Sequence, residues 1–161
     1  MKRAFISIFL TAFVLTAGAQ KKCGIKKAWA FYTATMPGMA MADENGNIIP
    51  PKPIIGRFIY IECVGTAKPE IGSVLYNNRL LEASLTKVEN VLVIPGGDID
   101  NNKNYRIRPQ KNNSLWKIDL QPPGGDPMPA PGCRNIVIKT RNKTCSFKLS
   151  KETKLSTMPT Y

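Results

Sequence analysis

The chain has 161 residues, with 23 Lys and Arg against 11 Asp and Glu, no histidine, 13 Pro, 12 Gly and 4 Cys. Its 43% apolar content is too high for a chain disordered throughout, and Pro and Gly at this frequency break the long helices of a bundle or coiled coil. Without histidine, Ser-His-Asp triads, Cys-His pairs and histidine-ligated metals are excluded at once.

The N-terminus begins with Met1-Lys2-Arg3, continues with an apolar run over 4–16, and reaches the small-residue site Ala17-Gly18-Ala19. This is the three-part pattern of a secretory signal peptide over residues 1–19, with cleavage expected before Gln20. The run is too short to cross a bilayer comfortably, which takes about 20 residues, and no later segment reaches that length. A lipoprotein signal places Cys directly after the small residues. Here the first is Cys23, so lipidation is disfavoured. The expected location is therefore secreted or periplasmic.

Residues 20–150 read as one domain. Short β-branched and aromatic runs bounded by Gly, Pro and Asn recur at 27–36, 57–66, 71–76, 79–88, 90–94, 105–108, 115–120, 135–140 and 144–150. Asn77-Asn78 fits a hairpin turn, because Asn tolerates positive φ. About eight such strands predict an all-β fold, an antiparallel β-sandwich, Ig-like or related. Two stretches cannot supply central strands, since proline lacks the ladder donor: 36–53, and 122–132 with its sequence PPGGDPMPAPG. Both predict surface loops. Residues 151–161 show no periodicity and are expected to trail as a flexible tail.

Four cysteines in an exported chain predict two disulfides. Period-two alternation places Ile59, Ile61 and Cys63 on one face. In the last hairpin, pairing Ile138 with Cys145 sets Ile136 against Phe147 on an apolar face. The expectation is a Cys63–Cys145 bridge, leaving Cys23 with Cys133. None of the four shows C-x-x-C spacing, so no metal site and no cofactor is expected.

The charge is uneven. Residues 20–100 carry nine Lys and Arg against eight Asp and Glu, while residues 101–161 carry twelve against three. Alternation turns Trp116, Ile118 and Leu120 inward and Lys117 outward. It sets Arg106 and Arg108 opposite Tyr105 and Ile107, and Lys139 and Lys148 opposite Ile136, Ile138 and Phe147. Arg106, Arg108, Lys117, Lys139 and Lys148 are thus the candidate polyanion-binding residues of a basic C-terminal sheet face. For an exported chain the partners would be an anionic glycan, a lipid headgroup or an acidic protein; nucleic acid is disfavoured.

Other constellations are weaker. Asp98, Asp100 and Asn102 begin like a calcium loop, but Lys103 and Pro109 stand where Gly and Glu belong. Asp43, Asn45 and Asn47 fit a tight turn better than a cation. Met36, Met39, Met41 and Met128 could supply thioethers to Cu(I), the alternative reading being a soft-metal carrier. Glu62, Glu70, Glu82, Glu89 and Asp119 are scattered along strands, mostly at outward positions, with no cluster in sequence, so a small secreted hydrolase with an unidentified site is kept as a further alternative. The leading expectation is an exported, non-catalytic binding or structural β domain.

Overall fold

A computed structural model describes residues 24–38, 41–49, 51–89, 91–94, 104–132, 135–141 and 146–155. The signal-peptide segment 1–19 lies outside the described residues. The strands are β1 (Ile25–Thr35), β2 (Met41–Ala42), β3 (Ile48–Ile49), β4 (Ile54–Val64), β5 (Ile71–Tyr76), β6 (Arg79–Val88), β7 (Leu92–Ile94), β8 (Tyr105–Ile107), β9 (Asn113–Gln121), β10 (Ile136–Thr140), β11 (Ser146–Leu149) and β12 (Thr153–Leu155). A short 3-10 turn, Pro123–Gly125, is the one helical element among the described residues.

The all-β class is as expected, whereas a sandwich or Ig-like arrangement is not confirmed. Eight strands join in one mixed sheet, in the order β11-β10-β5-β6-β9-β4-β1-β12, with β2-β3 and β7-β8 as separate ribbons. The sheet curls because β6 is shared between two halves. Its first residues pair with β5, Leu81 facing Val74, and its remainder pairs with β9, from Glu82 opposite Gln121 to Val88 opposite Leu115.

The curl brings the two edges of the sheet together. β11 and β12 lie on opposite edges, yet only residues 150–152 separate them in the chain. Four Cα steps reach at most about 14 Å, so the edges must meet. β11 hydrogen-bonds to β10 and also approaches β1, and β12 pairs parallel with β1, Leu155 facing Thr33. One interrupted strand thus forms the seam. Over 151–155 the chain does not trail as expected: Leu155 has an apolar site to fill, being 4% exposed, and residues 156–161 lie outside the described residues.

The inner face of the curl carries Ile59, Ile61, Cys63, Val74, Tyr76, Leu81, Trp116, Ile118, Leu120, Ile136 and Ile138. Alternation placed Cys63, Trp116 and Ile138 there correctly. The outer face is apolar too where β7-β8 covers it. Ile94 and Ile107 pack on Phe31, Tyr60, Leu115 and Leu155. β4 is therefore buried on both faces from Ile59 to Cys63. Each such large apolar side chain contributes about 1.5–3 kcal/mol of transfer free energy.

The expected hairpin turn forms at Asn77 and Asn78, both at positive φ (47° and 68°). In the last hairpin the register differs by two residues from the expected one: Ile138 pairs with Phe147 and Lys139 with Ser146. A slip of two leaves every side chain on its face, so the face assignment survives the correction. The 36–53 loop holds the β2-β3 ribbon, closed by a turn in which the Asp43 carboxylate accepts from the Asn45 and Asn47 backbone amides and from Asn47 Nδ2. Those bonds favour the carboxylate and hold the Asp43 pKa below its ordinary value. The tight-turn reading of this stretch is borne out.

Candidate functional site

Three sets of polar groups stand out in the described residues: a buried cluster at one end of the curl, a buried carboxylate at the other, and the surface cations.

The buried cluster is centred on Arg57. It shares the alternation of Ile59 and Ile61, so β4 aims its guanidinium into the apolar interior. A charge there needs partners. Glu152, in the gap between β11 and β12, supplies the carboxylate: Arg57 Nε donates to Glu152 Oε2 at 2.9 Å, with the side chains 1% and 4% exposed. Arg57 Nη1 donates to the Pro129 carbonyl and Nη2 to the Tyr76 hydroxyl. That hydroxyl donates to Glu152 Oε1 at 2.6 Å. The guanidinium also lies over the Tyr76 ring, 4.1 Å from its centroid. The loop 122–132, expected as a free surface loop, is tied down here: it gives carbonyls to the cluster, its Gly132 amide donates to Glu152, and its Met128 packs on the core. The cluster is a latch that fastens seam, loop and β4 together. Its polar atoms face one another, and every buried side-chain N and O atom among the described residues has a hydrogen-bond partner.

At the opposite end, Glu62 is 1% exposed, not outward as alternation suggested. The reason is the ribbon over the outer face, and the loop 108–112 that follows it. Glu62 Oε1 accepts from the Gln110 amide and from Asn113 Nδ2, which seats the loop on the end of β4. Next to it, Cys63 is a free, buried thiol. Burial, with the Glu62 charge as the smaller cause, pushes the Cys63 pKa up to about 11. Cys23, Cys133 and Cys145 lie outside the described residues. No disulfide joins described residues, so the Cys63–Cys145 bridge finds no support here.

The raised value has a consequence for stability. The unfolded thiol releases its proton near 9 and the folded one near 11. The contribution is therefore complete below pH 9 and is lost as pH rises from 9 to 11. In denaturation curves at pH 8 and pH 11, wild type is expected to lose more stability than Cys63→Ala over that interval. Equal losses in the two proteins would show that Cys63 does not titrate as described.

The five candidate basic residues are spread over the curl. Lys139 and Lys148 share a face of β10-β11, as expected, because Val137 opposes Lys148 and Lys139 opposes Ser146. Lys117, three strands away, pairs with Asp119 at 2.6 Å and lies 5.1 Å from the Phe58 ring centroid. Arg106 is exposed on the β7-β8 ribbon, and Arg108 begins the loop 108–112. They are not neighbours on one sheet face, since β8 belongs to a different sheet from β9, β10 and β11.

Of the thioether candidates, Met36 is exposed while Met128 packs on the core. Met39 and the Asp98–Asn102 stretch lie outside the described residues. No group of three or more Cys, Asp or Glu capable of holding a metal ion occurs among the described residues. Sequence reasoning missed Arg57 and Glu152. The signal for Arg57 was a charged residue in phase with an apolar alternation.

No family model matches the chain, and neither a curated protein nor a solved structure does.

Proposed function

We propose that the chain is an exported, non-catalytic binding or structural β domain that meets anionic partners through its surplus of surface cations. The observation that supports this reading is how the ionisable groups are divided. The buried ones, Arg57, Glu152 and Glu62, are occupied with internal partners. The described ion pairs use Arg57, Arg79 and Lys117, so Arg106, Arg108, Lys139 and Lys148 keep their charge for solvent or a partner. Such a surface attracts polyanions by releasing their counterions and steering their approach.

A salt series tests it. Binding to a sulfated polysaccharide, followed by titration calorimetry at 50 and 200 mM NaCl, is expected to weaken about a hundredfold if four cations contact the polymer. A flat salt response, or no binding at 50 mM, would sink the proposal.

A further inference from the structure

We infer that the docking surface is one end of the curled sheet, where Lys26, Lys27, Lys68, Arg108 and Lys111 converge, and that its partner is an anionic lipid surface. The inference rests on the reading above and places the contact at one end of the curl.

Register brings these five together. β1 begins, β4 ends and β9 begins at the same end, Ile25 facing Cys63 and Cys63 facing Ser114. The Val64 amide donates to the Gly24 carbonyl at 2.8 Å, and the Gly65 amide to the Asn112 carbonyl at 3.0 Å. Lys26 and Lys27 sit where the β1–β4 register shifts, just after Gly24. Lys68 follows Gly65 in the connection to β5. Arg108 and Lys111 precede Asn112 in the same loop. All five are exposed. Glu62, which faces Lys27 in register, is held under the loop 108–112 and offsets only one of the five charges. Glu70 and Glu89 lie further round the same end and are balanced by Lys87 and Arg141, so the surplus stands.

Two features favour a bilayer over a polymer. The cations lie on connections and strand starts at one end of the curl, which a flat array of headgroups can touch together. Val64 is 55% exposed and Val91 43% exposed at this end, apolar tips that can enter the headgroup region. The described connections there offer no exposed aromatic ring on which a sugar could stack; the exposed Tyr105 lies against Phe31 on the ribbon. Each Lys or Arg brought to an anionic surface raises the partition coefficient about fivefold.

The test is co-sedimentation of the full chain with vesicles of phosphatidylglycerol and phosphatidylcholine, alongside pure phosphatidylcholine. Two double variants remove the same charge: Lys26→Glu with Lys111→Glu at the end, and Lys139→Glu with Lys148→Glu on the sheet face. Both keep residues 1–23, whose own lipid affinity cancels in the comparison. The end variant is expected to lose about twentyfold or more in partitioning to anionic vesicles, and the face variant much less. Lys68→Glu with Arg108→Glu repeats the end substitution should the first pair fail to fold, as judged by thermal melting. Equal losses from end and face variants would overturn the localisation. Binding to a sulfated polysaccharide without binding to anionic vesicles would overturn the lipid assignment and leave the anionic-partner reading intact. Binding to neither would end both.

Discussion

Glu152→Ala is expected to destabilise the protein by about 3–5 kcal/mol, because it strands the Arg57 guanidinium in the interior without its carboxylate. Against a typical domain stability of about 5–15 kcal/mol this is a large share. The cost comes from the orphaned charge more than from the lost attraction, and this yields a sharper expectation. Removing both charges, as in Arg57→Met with Glu152→Leu, should recover most of what Glu152→Ala loses, since a buried pair often does no better than apolar groups of similar volume. The Tyr76 hydroxyl would then lose its acceptor at 2.6 Å and keep the Ala130 carbonyl at 3.4 Å, so adding Tyr76→Phe should cost the double variant less than the roughly 1 kcal/mol it costs wild type. Urea denaturation of the five proteins reads all of these. If Glu152→Ala unfolds within about 1 kcal/mol of wild type, the latch contributes far less than its burial implies.

The same latch shows what the sequence could and could not reveal. Period-two alternation identified Ile59, Ile61, Cys63, Trp116, Ile118, Leu120, Ile136 and Ile138 as one interior, and the structure gathers them in one cluster. The bounds of β5 and β6 were legible because Asn77-Asn78 punctuates them. Alternation failed at Tyr60 and Glu62. It assumes one wet face, and the β7-β8 ribbon dries the second. It also gave no warning of β12. A three-residue strand without a pattern of its own is chosen by what lies beside it, here the β1 edge and the apolar site taken by Leu155. The architecture was not legible for a related reason. Alternation fixes which residues face inward, and a curled sheet and a pair of stacked sheets share that pattern. What separates them is the sharing of β6 between two partners, a long-range choice. The basic residues were legible as a surplus of charge in the last third of the chain, but not as a place. Lys117 is drawn to Asp119, and Lys26 and Lys27, from the first third, join Arg108 and Lys111 only through the β1–β4–β9 register.

Deleting residues 150–161 is expected to open the seam, with a larger effect than any single substitution. The deletion removes Glu152, leaving Arg57 unpaired, and Leu155, whose loss alone as Leu155→Ala should cost about 2–5 kcal/mol. It also strips β12 from the edge of β1. Residues 31–33 would then present unpaired backbone groups, a strand edge ready to pair with another chain. The two consequences separate by concentration. Leu155→Ala weakens packing but keeps the edge covered, so it should lower the unfolding midpoint without dependence on protein concentration. The deletion should lower the midpoint further and produce association that grows with concentration in light scattering. Hydrogen exchange gives the local reading, since amides at 31–33 should lose protection in the deletion before those at 116–120 on β9, in the middle of the sheet. A truncated chain that stays monomeric and unfolds as cooperatively as the whole one would mean that the edges of the sheet are held together by β10, β11 and β1 without β12, and the interrupted strand would be a covering and not a closure.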